Sequence, residues 1–261
     1  MLKKILKSPQ NSERKSGNFS VCSFKTIKDL LLEITYACNL RCRHCSSVGI
    51  FNENWQRAYH SLTSLLSEYD VERIRISGGE PTVTSSLKWW IDIIRNERKF
   101  EGKLVLQTNG TVYYENDEID EYWISLYGSK DFHEKITGVR RSFDETLSTI
   151  EMHVRKGHRV ILQTPIFAET QIEDFSNLIN KHDFLQNLPV RLTRLLPHGC
   201  AEFMEVLPAE EQYKIAKKMP NRIITCSLDQ SRCIKYMKKV ILPNGNIREC
   251  ASCKHGKILC R

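Results

Sequence analysis

"DLLLEITYACNLRCRHCSSV", residues 29–48, runs from an apolar β-type stretch straight into a loop that sets Cys38, Cys42 and Cys45 in a C-x3-C-x2-C pattern. A strand that empties into a compact arc of soft ligands places metal chemistry at a strand's C-terminal end. Outward from it, further β-type runs lie at 71–77, 103–107, 121–126, 159–165 and 190–196. Helical patterns separate them. Leu62, Leu65, Leu66 and Tyr69 share one face, as do Leu87, Trp90, Ile91 and Ile94. A third helix is expected from Ser142, with Glu145 completing a capping box, Leu147, Ile150 and Val154 facing the core, and Gly157 closing it.

Short strands alternating with helices predict parallel βα units. Six of them are too few to close an eight-stranded barrel. The expected fold is therefore α/β, a partial (β/α)6 barrel of TIM type whose functional groups gather at the C-terminal ends of the strands. The motifs fall at those ends: the cysteine loop after the first strand, "SGGEP" (77–81) after the second, "QTNG" (107–110) after the third and "SLYG" (125–128) after the fourth. Beyond residue 200 the pattern changes to one helix, Pro208 to Lys218, and a cysteine-rich tail. The expected organisation is a basic leader (1–24), a barrel (25–200) and a small C-terminal extension (201–261).

Composition bounds the function. With 41% hydrophobic and 27% charged residues among 261, the chain reads as an ordinary globular protein. No run of eighteen apolar residues spans a membrane, and the basic leader lacks the apolar core of a secretory signal, so a cytoplasmic location is expected. The net charge of +8 makes an anionic partner worth considering. The basic residues are dispersed in short groups without interleaved aromatics, so nucleic-acid binding is not expected. Ten cysteines without an export signal favour metal or redox chemistry over disulfides.

Three thiolates in one arc suit a cubane [4Fe-4S] cluster that leaves one iron open; a zinc site would need a fourth ligand, His44 or a distant residue. In "RISGGEPTV" (75–83), Gly78 and Gly79 allow close backbone approach and Glu80 offers an acceptor for an ammonium group.

The ordered set of C-x3-C-x2-C, "SGGEP", "QTNG", "ISLYG" and "HEKITGVRRSFD" (133–144) resembles the radical S-adenosylmethionine superfamily over nearly the whole chain. The resemblance implies a [4Fe-4S] cluster on Cys38, Cys42 and Cys45, with S-adenosylmethionine chelating the remaining iron. It also implies a 5′-deoxyadenosyl radical that abstracts hydrogen from substrate, and a one-electron donor such as flavodoxin or ferredoxin. By the same likeness Gly78, Gly79 and Glu80 hold the methionine ammonium, and the His44 backbone faces the adenine while its ring packs outward. Thr108, Asn109 and Ser125 contact ribose or carboxylate, and Arg140 or Arg141 pairs with the carboxylate. Gln163 points either to the cofactor or to the core. Cys22 and Cys200 stand apart and read as small hydrophobes.

The tail places Cys226, Cys233, Cys250, Cys253 and Cys260 around an expected hairpin turned at Asn244-Gly245. It resembles a SPASM domain or its shortened relative, the Twitch domain. This implies a second, auxiliary [4Fe-4S] cluster on Cys226, Cys233 and Cys250 with Cys253 or Cys260 as fourth ligand; a zinc ribbon is the alternative. Such tails accompany peptide- and protein-modifying enzymes, so the expected substrate is a peptide or protein, altered by maturation, cross-linking, epimerisation or oxidation. A small nucleotide or sugar substrate, as in the GTP cyclase of molybdopterin synthesis, is the second expectation, and a non-catalytic metal-binding scaffold the third.

Overall fold

The computed structural model describes residues 25–46, 52–219, 221–225, 227, 229 and 238–249. Strands β1 (Lys25–Ile27), β2 (Asp29–Glu33), β3 (Tyr69–Val71), β4 (Arg73–Ser77), β5 (Lys103–Thr108), β6 (Glu121–Ser125), β7 (Val160–Ile166), β8 (Val190–Arg194), β9 (Arg222–Ile224), β10 (Lys238–Ile241) and β11 (Ile247–Arg248) alternate with helices. The helices are α1 (Trp55–Glu68), α2 (Leu87–Asp92), α3 (Lys130–Thr137), α4 (Ser142–Arg155), α5 (Glu169–Lys181) and α6 (Ala209–Ala216).

Nine strands form one sheet in the order β11-β10-β2-β4-β5-β6-β7-β8-β9, all neighbours parallel except β10 and β11. β1 and β3 make a separate parallel pair. The fold is α/β with a mostly parallel, open sheet, since β11 and β9 lie at opposite edges among the described residues. Strands β2, β4, β5, β6, β7 and β8 are the six expected from sequence. The chain after residue 200 adds β9 beside β8 and β10 beside β2, so both edges are covered by later segments of the chain. The β10–β11 hairpin turns at Gly245, whose φ of 80° is the left-handed conformation that favours glycine.

Side-chain alternation sorts the strands into two faces. Leu30, Leu32, Ile74, Ile76, Leu104, Leu106, Ile124, Leu162 and Leu192 point to one side, where they pack with Leu62, Trp90, Ile150 and Phe175 from the helices into the main core. The other side carries the small clusters Leu31–Val240–Leu242 and Val105–Trp123–Ile161, set among charged and amide side chains.

Two local expectations are corrected. Tyr69 leaves α1 to start β3, because its backbone turns extended and pairs with Lys25. The capping box at Ser142 does not form: Arg141 caps α4, and the Ser142 hydroxyl is turned inward to donate to the Val139 carbonyl and pair with Thr137. No helix among the described residues is long and apolar enough to cross a membrane.

Candidate active site at the strand C-terminal ends

A chamber of about 610 Å³ opens on the inner face of the sheet, within the size range of small-molecule sites. Cys38, Cys42 and Cys45 line it together with Gly78, Gly79, Glu80, Thr108, Asn109, Ser125 and His44. Residues spread from Cys38 to Ser125 meet because each lies at or just beyond the C-terminal end of a parallel strand of the same sheet.

The cysteine loop is stitched at both ends. The amides of Arg41 and Arg43 donate to the carbonyls of Thr137 and Ile136, each at 2.9 Å, and the Cys200 amide donates to the Cys45 carbonyl at 2.9 Å. Cys38 Sγ accepts from the Leu40 amide at 3.4 Å. Burial, reinforced by the charges of Cys45 and Cys38, pushes the Cys42 thiol up to about 12. A cationic metal centre relieves such crowding by replacing the protons, and an all-thiol donor set fits an iron-sulfur cluster.

The glycine turn packs against that loop. Gly78 has φ +147°, and a Cβ there would sit 2.4 Å from the Thr35 carbonyl oxygen; one on Gly79 would sit 2.2 Å from that of Ala37. The Gly79 and Glu80 amides donate to those same two carbonyls at 2.7 and 2.8 Å. These glycines therefore let two backbones touch and fix the turn after β4 to the entry of the cysteine loop.

Glu80 is 1% exposed and ties the turns after β4 and β5 together. Its Oε1 accepts from the Thr82 amide (3.0 Å), the Thr82 hydroxyl (2.7 Å) and the Thr108 hydroxyl (2.6 Å), and Oε2 accepts from the Asn109 amide (2.6 Å). Burial pushes its carboxyl up, against the pull of the Thr108, Thr82 and Asn109 bonds. A carboxylate offers about four lone-pair positions. Oε2, which accepts from the Asn109 amide, keeps capacity for another donor. Asn109 extends the web: its Nδ2 donates to Asn39 Oδ1 at 2.9 Å.

The His44 ring packs into an aromatic cluster, 5.0 Å from Tyr127 and 5.2 Å from Phe167 in edge-on contacts, and burial pushes its pKa down to about 4. Arg140 and Arg141 are exposed and lie outside the chamber lining; the Arg141 amide instead donates to Glu134 at 2.7 Å. Cys200, read from sequence as a small hydrophobe, lines the chamber. Cys22, Cys226, Cys233, Cys250, Cys253 and Cys260 lie outside the described residues.

Local sequence reasoning missed the polar row on the inner face. Arg75 donates to Asp29 Oδ1 and Oδ2 at 2.6 and 3.0 Å and to Gln107 at 2.8 Å. Across the Trp123 ring, Arg191 donates to Gln163 at 2.7 Å. Burial alone would raise the Asp29 pKa, but Arg75, aided by Arg73 and Lys238, holds it well below the usual carboxylate range. The available signal was charged and amide residues at alternate positions of otherwise aliphatic strands.

Residues 32–181 match the model of the Radical SAM superfamily, more than half of the chain. A Methanocaldococcus jannaschii protein provisionally named a glycyl-radical enzyme activating enzyme is 25% identical over 243 residues, 87% of this chain and 91% of that protein. A GTP 3′,8-cyclase of Syntrophomonas wolfei is 25% identical over 247 residues, 86% of this chain and 69% of that enzyme. Among solved structures, Streptococcus suis SuiB bound to S-adenosylmethionine superimposes with a TM-score of 0.70 at 16% identity, covering 91% of this chain and 65% of SuiB. The chain thus spans about two thirds of SuiB, and at this identity the likeness is one of fold. A parallel sheet, loop thiols at its C-terminal edge and a family match across both make this chain a member of the Radical SAM superfamily, an enzyme that uses S-adenosylmethionine with an iron-sulfur cluster.

Proposed function

We propose that Cys38, Cys42 and Cys45 hold the [4Fe-4S] cluster, that S-adenosylmethionine lies against Gly78, Gly79, Glu80, Thr108, Asn109 and Ser125, and that the substrate is a peptide or protein. The observation that carries this reading is the meeting of the three loop thiols with the turns after β4 and β5 in one chamber. When bound, the cluster and cofactor supply a one-electron cleavage that yields a 5′-deoxyadenosyl radical, which abstracts hydrogen.

The work of the chain itself is positional. The Leu40 amide steadies Cys38 Sγ, Glu80 locks two turns with four bonds while Oε2 accepts from the cofactor ammonium, and the chamber walls exclude water. The His44 backbone borders the adenine while its ring anchors the loop in the aromatic cluster. The electron comes from a donor such as flavodoxin or ferredoxin. The tail cysteines Cys226, Cys233 and Cys250, with Cys253 or Cys260, hold an auxiliary [4Fe-4S] cluster, a reading supported by their spacing alone.

The protein-substrate reading draws on the glycyl-radical activating relative, matched over nearly its full length. A nucleotide substrate is the second reading, favoured by the similarity to the GTP cyclase. Anaerobic reconstitution with dithionite and S-adenosylmethionine tests the enzyme reading: 5′-deoxyadenosine and methionine are the expected products, and their absence from a fully iron-loaded protein refutes it.

A further inference from the structure

The cysteine loop carries charge that the cofactor site leaves unused. Arg41 and Arg43 flank Cys42, and their amides donate to the carbonyls of Thr137 and Ile136 in the last turn of α3. Gly138 ends that helix with φ +70°, where a Cβ would sit 3.0 Å from the Arg41 carbonyl oxygen, and Arg140 and Arg141 follow two and three residues on. Two backbones in contact thus gather four arginines around the loop, and all four are exposed.

Among the described residues none of the four takes part in an ion pair, although neighbouring Lys130 pairs with Asp144. Glu134 is engaged by the Arg141 amide, at 2.7 Å. Arg141 itself has φ +68°, a left-handed conformation that a residue with a Cβ adopts rarely. The Glu134 bond and the Glu145 amide, which donates to the Arg141 carbonyl at 3.0 Å, hold it there. An arginine where glycine would serve the turn better points to a use for the charge.

That use lies outside the chamber. Arg43, Arg140 and Arg141 are absent from its lining, whereas Arg41 also borders it. Arg43 adjoins Cys42 in the chain, and Cys38 is itself exposed. One-electron transfer slows steeply as two redox centres move apart, so a carrier seated on this loop is well placed to serve the thiols' cluster. A surface of unmatched arginines on a chain of net charge +8 is complementary to an acidic partner.

We propose that Arg41, Arg43, Arg140 and Arg141 form the docking surface for an acidic one-electron carrier protein, which gives up one electron to the cluster with no bond made or broken at that step. The proposal rests on Cys38, Cys42 and Cys45 holding the cluster. Charge on an exposed rim chiefly raises the rate of encounter and fixes the orientation of the partner.

The test uses the full reconstituted chain and two readouts. Affinity for oxidised flavodoxin is measured by calorimetry, and 5′-deoxyadenosine formation is followed with either reduced flavodoxin or dithionite as electron source. The flavodoxin-driven rate should fall more steeply with ionic strength than the dithionite-driven rate. The variant R43E/R140E/R141E should bind flavodoxin about tenfold or more weakly and slow the flavodoxin-driven reaction in proportion. Iron content, S-adenosylmethionine affinity and the dithionite-driven rate should stay at the wild-type level, and R43Q/R140Q/R141Q should fall between. The proposal is overturned if neither flavodoxin nor an acidic ferredoxin binds the wild type, or if the charge-reversed variant binds the carrier as tightly as the wild type does. In the latter case, loss of polyglutamate binding would assign the surface to an acidic peptide instead. It is also overturned if the dithionite-driven rate falls in step with carrier affinity, which would place these arginines in the active site. Failure of the wild type to form 5′-deoxyadenosine with dithionite sinks the enzyme reading separately, and the calorimetry still decides the docking surface.

Discussion

On β4, Ile74 and Ile76 sink among the helices while Arg73, Arg75 and Ser77 face the other way; on β5, Leu104 and Leu106 do the first and Val105 and Gln107 the second. The helix-covered face is built of aliphatic volume, which stabilises in proportion to the area removed from water and without regard to direction. The chamber face is built of bonds with fixed partners, such as Asp29 to Arg75 and Arg191 to Gln163. Polar groups buried there must be matched or they destabilise, so this face tolerates fewer exchanges and is the one that specifies a ligand. The same strands thus serve stability on one side and recognition on the other.

The largest expected effect lies at the rim of the chamber face. Replacing Cys38, Cys42 and Cys45 together by Ala should remove about four irons per chain and abolish cofactor cleavage, since a cubane needs its anchors. Helix content by circular dichroism should persist, because the aliphatic face is untouched; collapse of the fold on losing these thiols would break the distinction between the faces.

Next comes the buried ion pair. Asp29→Ala leaves the Arg75 guanidinium buried without its carboxylate and should cost about 3–5 kcal/mol in denaturant unfolding. Because the folded Asp29 pKa is depressed, its contribution is present above the unfolded value of about 4 and fades as pH falls below it. The wild type should therefore lose stability below about pH 4, and the variant should show a flatter acid limb. Identical acid limbs would remove this pair from the account.

On the helix-covered face, Leu106→Ala should cost about 2–5 kcal/mol through lost transfer energy and a residual cavity, with no change in the shape of the pH dependence. A pH-dependent loss at Leu106 would blur the contrast between the faces. Smallest is Glu80→Ala, expected to weaken S-adenosylmethionine binding by about 1.5–3 kcal/mol at unchanged iron content. If equilibrium binding shows no difference, Glu80 serves only to join the turns after β4 and β5.

By itself the sequence determined the succession of strands and helices along the barrel segment, the placement of motifs at strand ends and the choice of soft ligands. Those features are local: a period of two along "RIRIS" or "KLVLQT", and three thiols within eight residues, are present whatever the rest of the chain does. The hairpin at Gly245 was legible for the same reason, because a two-residue Asn-Gly signal sets its own turn. Only the tertiary structure decided that Gly78 and Gly79 accommodate the backbone of Thr35 to Ala37, that Glu80 gathers donors from a loop nearly thirty residues away, and that Arg140 stands outside the chamber. It also decided that β9 and β10 border the same sheet and that Arg75 and Arg191 stack on one tryptophan. Each of these depends on the register between strands distant in sequence, and register is fixed by the summed packing of the whole sheet, which no local period encodes.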